Sequence, residues 1–355
     1  MSDYYGQKER NSRSRSPLSR LRRLLRRQKK LAAVLLLFAA VVIGGVVWLA
    51  LNFQDAGEDL IAQNAVNVGT GYRNITYQGK NYRYNNRVTT ILYAGLDSDT
   101  PLVQYRRYAM APRADSISLV VLDELHRKMT VIALNRETIT KIRRYTLSGI
   151  SSGLYSDFLC YAYTYGDGGK ASCDGLCEAV SLLLYGVPID DYVITNRGSL
   201  SIVADMLGPV EVTVPNNDMA EIDARLFQGA QVTIDAQNLE SFVRYRDTEK
   251  DFSNVGRMQR QQSYITGAIN RVQSILNEQP DELWNQLQKA DRYVQTNITK
   301  NRYLDLTRIV KNTAFSSQNY YIPEGRNVSG EDHDEFYPDE DALLAKVIEL
   351  FYIKQ

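Results

Sequence analysis

The sequence predicts an α/β protein, a three-layer α-β-α sandwich with a mixed central sheet, preceded by one N-terminal transmembrane helix. An uncharged apolar run covers residues 31–53, and beyond it short apolar runs typical of buried strands alternate with segments of helical spacing. The chain has 355 residues, of which 44% are hydrophobic and 23% are charged. This composition is ordinary for a globular protein and provides enough apolar side chains for one large core.

The N-terminal region has the features of a membrane anchor. Residues 1–30 are polar and end in a basic block, and we expect them to form a disordered cytoplasmic tail. Residues 31–53 are long enough to cross a bilayer as a helix, and Trp48 suits the outer interface. Because the positive charge precedes the span, the rest of this single-pass cell-membrane protein is expected outside the cell. A cleaved signal peptide is the alternative, although the apolar run is long for one.

The remainder of the chain divides into a lead-in and one domain. Residues 54–87 are polar with scattered Gly and Asn, so we expect an extracellular stalk or irregular lead-in, and residues 88–355 form the predicted domain. Strands are predicted over Thr89–Ala94, Ser116–Leu122, Met129–Leu134, Asp191–Thr195 and Val210–Val214. Helices are predicted over Asp174–Tyr185, Ser199–Met206, Gln259–Leu276, Asp281–Lys289, Tyr303–Lys311 and Asp339–Phe351.

The cysteine and histidine content gives little support to a zinc or histidine-based centre. The cysteines are Cys160, Cys173 and Cys177, and the histidines, His126 and His333, are far apart in the sequence. Outside the membrane, two of the cysteines could form a disulfide and leave a spare thiol, or all three could stay reduced. The sequence does not choose between these states.

Four arginines lie close together between residues 242 and 262. Arg244 and Arg246 point to one face if their segment is extended, and Arg257 and Arg260 share one face of the helix that follows. The net charge of the chain is only +1, so this concentration of positive charge is local. Guanidinium groups bind phosphate through paired, charge-assisted hydrogen bonds, so the segment predicts a phosphate site. A solvated surface with weak ion pairs is the alternative interpretation.

Five blocks, in order along the chain, together resemble one known family. They are Ile91–Asp99, Arg113–Ser116, Val131–Thr138, Gly186–Tyr192 leading to Leu207–Val212, and the arginine segment Phe242–Gln262. These blocks are similar to the motifs of the LytR-CpsA-Psr (LCP) family of bacterial cell-envelope phosphotransferases. The resemblance runs from about Val88 to the C-terminus, and the predicted anchor fits it as well.

The resemblance implies an activity and its partners. The substrate it implies is a glycopolymer on a polyprenyl-pyrophosphate carrier, which is transferred with one phosphate to a hydroxyl of a peptidoglycan acceptor. The lipid then leaves as polyprenyl phosphate. The polymer could be teichoic acid, capsule or another secondary wall polymer. No nucleic-acid partner is expected, because the cytoplasmic tail is too short and polar for a DNA-binding domain.

The resemblance also implies roles for particular residues. Positions that match the family's pyrophosphate-binding residues are Arg113, Arg136, Arg244, Arg246, Arg257 and Gln261. Asp97 and Asp115 match the acidic positions associated with Mg²⁺, an ion usually held by one or two carboxylates together with phosphates and waters. The expected catalytic residues are Asp97, Asp115, Arg113, Arg244 and Arg246. Apart from the resemblance, Asp97 suits a turn and Asp115 suits an ion pair with Arg113.

The sequence departs from the family pattern at several positions. Asn135 and Glu137 stand where the family commonly has proline and aspartate around the arginine, and the longer Glu137 puts its role in doubt. A family lysine expected shortly before Tyr161 is absent, and Lys170 could supply its phosphate contact.

Two other activities and one structural question stay open. A non-catalytic envelope scaffold or sensor that binds lipid-linked polymers is one alternative, and a pyrophosphatase in which water replaces the sugar hydroxyl is another. The family's lipid occupies an apolar cavity, for which residues 200–206 and 265–275 are candidates. Their apolar faces are interpreted here as ordinary core.

Overall fold

The computed structural model describes residues 67–68, 73–247, 249–250, 252–330 and 333–355. The predicted tail, residues 1–30, and the predicted membrane helix, residues 31–53, lie outside the described residues, as do Thr248 and Asp251 of the arginine segment. Within the described ranges, no helix has both the length and the apolar character needed to cross a membrane.

A six-stranded mixed sheet forms the centre of the molecule, as the sequence predicted for an α/β fold. Its strands, in spatial order, are Val294–Thr296, Asp191–Asn196, Val88–Leu96, Ala114–Asp123, Lys128–Leu134 and Tyr320–Tyr321. The second and third strands in this order run parallel, and the last two also run parallel. The remaining neighbours are antiparallel, and the fourth and fifth strands form a hairpin.

The predicted helices are all present in the predicted order, with ends that shift by a few residues. The helices cover Tyr161–Thr164, Lys170–Leu183, Leu200–Leu207, Leu239–Arg244, Asn254–Glu278, Pro280–Lys289, Lys300–Lys311 and Glu340–Phe351. Asn254–Glu278 is called the long helix below. Two short helices, Tyr161–Thr164 and Leu239–Arg244, were not predicted, because one or two turns leave too little periodicity to recognise.

Helices pack on both faces of the central sheet, because its inner strands are apolar on both sides. Leu119 points to the face that packs against Lys170–Leu183 and Glu340–Phe351. Its neighbour Val120 points to the opposite face, which packs against the long helix and Lys300–Lys311. The alternation of side chains along a strand therefore supplies both interfaces from one short apolar run.

Smaller sheets surround this centre. Their strands are Asn67–Val68, Asn74–Tyr77, Lys80–Tyr84 and Tyr352–Lys354 in one sheet, Ile139–Tyr145 with Ser151–Phe158 in a second, Val210–Thr213 with Gln231–Ile234 in a third, and Gly325–Ser329 with Asp334–Pro338 in a fourth. The strand predicted near Val210 therefore exists but does not join the central sheet. Its hairpin packs on the long helix instead and forms a second apolar core.

The lead-in contains regular structure that the sequence analysis missed. Strands Asn74–Tyr77 and Lys80–Tyr84 form a hairpin, and Lys80–Tyr84 pairs with the C-terminal strand Tyr352–Lys354. Ile75 and Tyr84 are buried in the main core. The expectation of an irregular lead-in was therefore wrong for these residues, because their pairing partner lies at the other end of the sequence.

Candidate functional site

The candidate site lies at one edge of the central sheet, where several strands begin or end. Asp97 and Arg197 each follow one of two parallel strands, so they emerge at the same edge. Asp115 lies near the start of the antiparallel neighbour and reaches the same place. The backbone N–H of Asp97 donates to the carbonyl oxygen of Arg113 at 2.9 Å, which joins the two acidic sequence blocks.

Two arginines hold the carboxylate of Asp115. Arg136, which follows the next strand, donates from Nη1 to Oδ1 of Asp115. Arg257, in the first turn of the long helix, places Nη1 3.6 Å from Oδ2 of Asp115. Asn254 fixes Arg257 in turn, because its Oδ1 accepts from Nη2 of Arg257 at 2.6 Å. Residues from three separate blocks therefore meet at one carboxylate.

Asp97 belongs to a second, more exposed group of charges. Nη2 of Arg244 lies 3.3 Å from Oδ1 of Asp97, and Nη1 of Arg244 donates to Glu240 at 2.9 Å. Arg197 approaches from the other side, with Nη2 3.3 Å from Oδ2 of Asp99. About a third of the side chain of each of Asp97, Arg197 and Arg244 is exposed, so all three are accessible to a ligand.

Arg246 sits in a more buried network with two acidic side chains. Its Nη1 lies 3.1 Å from Oε1 of Glu137, and its Nη2 lies 3.8 Å from Oδ2 of Asp334. Its Nε donates to Oγ of Ser253 at 2.7 Å. Glu137, whose role was in doubt because it replaces an aspartate, therefore reaches Arg246 through its longer side chain.

Burial shifts the protonation equilibria of two groups in the site. Loss of solvent around Arg257 lowers its pKa to about 10, against the attraction of Asp115, so the guanidinium stays charged at neutral pH. Burial also raises the pKa of Glu137, while the nearby Arg246 and Arg136 oppose the shift. The site thus holds buried positive charge together with a carboxylate that protonates more easily than usual.

Arg113 and Gln261 complete the predicted set. Burial lowers the pKa of Arg113, but its hydrogen bond to Tyr161 and the charge of Asp115 outweigh this effect and leave the pKa raised. Gln261 lies one turn beyond Arg257 on the long helix and donates from Nε2 to the carbonyl oxygen of Val243 at 3.1 Å. The Nε atoms of Arg136 and Arg197 are buried and make no hydrogen bond within the described residues. They lie 4.0 Å from Oε1 of Glu137 and 3.9 Å from Oδ1 of Asp97, respectively.

A cavity of about 370 Å³ opens beside these charges. The charged and amide residues of its lining form one group at the sheet edge, and they are Asp97, Asp115, Asn196, Arg197, Arg244, Arg257 and Gln261. Hydroxyl groups of Tyr93, Ser116, Ser118, Thr195 and Tyr264 also belong to lining residues. The remaining wall is mainly aliphatic, with Val120, Val131, Leu200, Val203, Leu207, Leu239, Val243, Ile265, Ala268, Ile269 and Val272. Residues 200–206 and 265–275, interpreted from the sequence as ordinary core, therefore contribute several side chains to a cavity wall.

Several expectations about the arginine segment need correction. Arg244 ends the helix Leu239–Arg244, so the segment is not extended through both Arg244 and Arg246. Arg260 does not face the cavity. It is 1% exposed and binds Asp218 and the carbonyl oxygens of Phe242 and Tyr245, so it holds the segment in place rather than adding charge to the site.

The structure also decides the expected phosphate contact of Lys170, the ion-pair partner of Asp115 and the state of the cysteines. Lys170, considered as a replacement for the missing family lysine, forms an ion pair with Asp174 on the surface of its helix, and its side chain is 79% exposed. Asp115 pairs with Arg136 and Arg257 instead of with Arg113. All three cysteines are free thiols, which agrees with the reduced alternative.

Arg197 is the site residue that sequence reasoning missed. It lines the cavity and lies near Asp97, Asp99 and Glu240. A signal for it was present, because Arg197 directly follows the strand Asp191–Asn196. Polar residues after parallel strands gather at one edge of a sheet, but the parallel pairing of this strand with Val88–Leu96 was not predicted.

The acidic residues of the site form a partial metal-ligand set. Asp97 and Asp115 both line the cavity, and their oxygen atoms suit Mg²⁺. No group of three or more His, Cys, Asp or Glu side chains in the described ranges is arranged to hold a metal ion. Two carboxylates fit Mg²⁺ only if substrate phosphates and waters supply the other ligands.

The chain is similar to several characterised proteins. The TagU polyisoprenyl-teichoic acid–peptidoglycan teichoic acid transferase of Bacillus cereus is 27% identical over 216 residues, which are 59% of this chain and 63% of that protein. The TagV transferase of the same description from Bacillus subtilis is 26% identical over 226 residues, 62% of this chain and 52% of that protein. The chain thus spans less than two thirds of the length of these curated relatives.

Solved structures show the same fold. The crystal structure of B. subtilis TagV matches with a TM-score of 0.54 and 24% identity, over 74% of this chain and 96% of that one. TagT bound to LIIa-WTA matches with a TM-score of 0.54 and 17% identity, over 75% of this chain and 90% of that one. The family model described as the LytR_cpsA_psr family matches residues 58–339, which include every predicted site residue. This protein belongs to the LytR_cpsA_psr family.

Proposed function

We propose that this protein is a phosphotransferase that moves a glycopolymer, with one phosphate, from a polyprenyl-pyrophosphate carrier to a hydroxyl of peptidoglycan. The observation that carries the proposal is a mainly aliphatic cavity whose polar end is lined by arginines. A polyprenyl pyrophosphate has the same two parts, a long apolar chain joined to a compact, highly charged group. The aliphatic wall suits the apolar chain where it joins the pyrophosphate, and the arginines suit the charged group.

The residues of the site suit phosphoryl transfer, in which positioning and charge neutralisation provide most of the catalysis. Arg197, Arg244 and Arg257, which line the cavity, would bind the pyrophosphate oxygens, together with Arg113, Arg136 and Arg246 of the predicted set. The acceptor hydroxyl oxygen forms a bond to the glycan-linked phosphorus while the bond from that phosphorus to the bridging oxygen breaks. The acceptor loses its proton, and the lipid leaves as polyprenyl phosphate.

Preorganised ion pairs support this role for the arginines. Arg257 is 6% exposed and held by Asn254, so its guanidinium is fixed before substrate arrives. A fixed cation needs little reorganisation when negative charge moves to the leaving phosphate. Asp97 and Asp115 are the candidate Mg²⁺ ligands, and the ion would neutralise pyrophosphate charge when bound. Either carboxylate could accept the acceptor's proton.

The names of the relatives support the class of substrate and acceptor. TagU of Bacillus cereus and TagV of Bacillus subtilis are named polyisoprenyl-teichoic acid–peptidoglycan teichoic acid transferases. TagT has been solved bound to LIIa-WTA and to LI-WTA. We infer a polymer of this kind for the present chain, with teichoic acid first and capsular or secondary polymers as alternatives.

The test is a transfer assay with the full-length protein in detergent. A polyprenyl-pyrophosphate-linked oligosaccharide, peptidoglycan fragments and Mg²⁺ are mixed, and mass spectrometry searches for a phosphodiester-linked conjugate. We expect conjugate with the wild type and a loss of roughly 100-fold or more with Arg244→Ala. Arg225→Ala is the matched control, because Arg225 is 82% exposed and pairs with Asp223 outside the cavity lining.

Other products would lead to other functions. Free glycan phosphate without conjugate would indicate a pyrophosphatase, and bound but unchanged lipid would indicate a scaffold or sensor. Addition of EDTA tests the metal, since full activity in excess chelator would contradict the need for Mg²⁺. The same assay therefore separates the transferase from both alternatives.

We also propose that the protein is anchored in the cell membrane with its catalytic domain outside. The support is the uncharged run of residues 31–53 after a basic block, together with a carrier lipid that resides in a membrane. Alkaline phosphatase fused after Phe53 should be active in a bacterial host. A fusion that is inactive while the protein is well expressed would contradict this topology.

A further inference from the structure

We propose that a surface strip of aromatic side chains beside the site binds the glycan strand of the acceptor. The strip consists of Tyr155, Phe158, Tyr161 and Tyr165, with the guanidinium of Arg144 between two of the rings. This inference rests on the proposed function, because it names where the peptidoglycan acceptor would lie. It concerns side chains outside the cavity and outside the predicted site.

Each member of the strip lies next to another member, so that the side chains form a row across the surface. The rings of Phe158 and Tyr161 have centroids 5.9 Å apart, and those of Tyr161 and Tyr165 are 6.1 Å apart. The guanidinium carbon of Arg144 lies 5.1 Å from the ring centroid of Tyr165 and 5.0 Å from that of Tyr155. Five side chains from a two-stranded ribbon and a short helix therefore form one continuous row.

Tyr161, which lies between Phe158 and Tyr165 in the row, brings the strip to the candidate site. The side chain of Tyr161 lies close enough to Arg113, one of the predicted pyrophosphate ligands, to raise the pKa of that guanidinium. The preceding residue, Cys160, donates its backbone N–H to the carbonyl oxygen of Arg136 at 3.1 Å and accepts from the N–H of Ala114 at 3.1 Å. Tyr161 thus follows a residue that is held between the segments of Arg113 and Arg136, and an acceptor on the strip would lie close to the proposed phosphate site.

The rings of the strip are accessible from solvent. Tyr155 is 43% exposed, and Phe158, Tyr161 and Tyr165 are each partly exposed. Partly exposed tyrosines combine an apolar ring face with a polar tip, and sugars likewise combine apolar C–H faces with hydroxyls. Tyr161 and Tyr165 pack on one side against the main core, and their partial exposure leaves the other part of each ring for a ligand.

The polar groups of the strip favour a sugar over a phosphate-rich polymer. Asp157 pairs with Arg144 and accepts a hydrogen bond from the Tyr165 hydroxyl at 3.0 Å. Because Arg144 is neutralised by Asp157, the strip adds little net positive charge. Burial, followed by the hydrogen bond to Asp157, raises the pKa of Tyr165 to about 12, so this hydroxyl stays protonated. The tyrosine hydroxyls can donate and accept hydrogen bonds with the neutral hydroxyls of a glycan, and the Arg144–Asp157 pair adds no net charge beside them.

Two measurements on the full-length protein test the strip. The first is cosedimentation with purified peptidoglycan sacculi, and the second is the transfer assay at varied concentrations of peptidoglycan fragments. For Tyr155→Ala we expect weaker sedimentation and an acceptor KM raised about tenfold, equivalent to about 1.4 kcal/mol, with kcat and donor KM almost unchanged. Tyr155→Phe keeps the ring and should stay close to the wild type.

Tyr337→Ala is the matched control, because Tyr337 also stacks on an arginine, Arg326 at 4.7 Å, but lies on another hairpin. Thermal unfolding verifies that Tyr155→Ala is folded. If it is not, Tyr155→Trp retains a ring, and its fluorescence should change in a saturable way as peptidoglycan fragments are added. An unchanged signal at saturating fragment would contradict the proposal.

The outcomes separate this inference from the proposed function. Sedimentation that depends on Tyr155 without any conjugate would support the strip and count against the transferase. Conjugate formed with the same acceptor KM in wild type and Tyr155→Ala would leave the transferase standing and overturn the strip. A raised donor KM with an unchanged acceptor KM would assign the strip to the donor glycan and also overturn the inference.

Discussion

At the scale of single residues, the site consists of arginines whose partners come from distant parts of the chain. Arg246 uses three N–H groups at once, toward Glu137, Asp334 and Ser253. The planar fork of arginine allows this, whereas the ammonium of lysine is a compact point charge. The identity of the side chain should therefore matter as much as its charge.

Arg246→Lys tests this point. The variant keeps the positive charge next to Glu137, so no buried carboxylate is left unpaired and the fold should be retained. It loses the fork, so we expect transfer to fall by about tenfold or more, while the melting temperature changes by only a few degrees. The measurements are the conjugate assay and thermal unfolding. Arg326→Lys is the control outside the site, and equal activity in both variants would argue against a phosphate contact for Arg246.

Glu137 gives a prediction about pH. Its pKa in the folded protein is raised above the ordinary value of 4.5 by burial. A raised pKa means that the unfolded carboxyl ionises first as pH increases. The contribution of Glu137 to stability is therefore full below pH 4.5 and is lost as pH rises through the folded pKa. The loss is about 1.4 kcal/mol for each pH unit that separates the folded pKa from the unfolded pKa.

Glu137→Gln should remove this pH-dependent loss of stability, because glutamine does not ionise. Urea unfolding of the wild type and the variant at several pH values measures the difference in unfolding free energy between them. We expect this difference to favour the variant increasingly as pH rises above 4.5, and then to level off. A difference that does not vary with pH would show that burial does not shift the pKa of this carboxyl.

At the scale of elements, the long helix lines both the polar part and the aliphatic part of the cavity. Arg257 and Gln261 lie near its start at the polar end of the cavity, and Ala268 and Val272 line the aliphatic part further along. Asn270 is exposed on another side of the same helix. One helix thus contributes both to the proposed phosphate site and to the proposed lipid site.

Ala268→Phe tests the lipid part alone. The larger side chain fills space in a cavity of about 370 Å³. Ala268 lies roughly 16 Å along the helix axis from Arg257, at a rise of about 1.5 Å per residue. We expect the affinity for a donor with a long polyprenyl chain to fall at least about tenfold, and that for a short-chain donor to fall much less. Asn270→Phe, on the exposed side, should affect neither donor. Equal losses for long and short donors would contradict a lipid role for the cavity.

At the scale of the whole molecule, the two ends of the described domain are joined in one sheet. Strand Lys80–Tyr84 pairs with Tyr352–Lys354, and Ile75 and Tyr84 enter the main core. A domain that began at Val88 would lack these side chains. The lead-in is therefore part of the folded unit from at least Asn74 onward.

A truncation series tests this boundary. A fragment of residues 88–355 should be less stable than one of residues 73–355, by roughly 2–5 kcal/mol for each large buried side chain removed. Urea unfolding monitored by circular dichroism measures the loss. Two fragments with the same unfolding midpoint would show that the lead-in strands do not stabilise the domain.

The sequence by itself determined the fold class and most elements, because apolar periodicity is a local property. It also indicated the family, because the motifs and their spacing are properties of the linear sequence. Asp97, Asp115 and the arginines around them could be named before any contact was known. What the sequence pattern could not give was the partner of each charge, and Asp115 was paired with the wrong arginine for that reason.

Only the tertiary structure decided which side chains meet. Arg197 belongs to the site because two strands about 100 residues apart pair in parallel. Arg260 does not belong to it, because Asp218 and two carbonyl oxygens bind its guanidinium elsewhere. Only the tertiary structure shows the cavity as well, because an apolar helix face has the same sequence pattern whether it packs against side chains or lines a cavity. Contact depends on distance through space, and local periodicity carries no information about it.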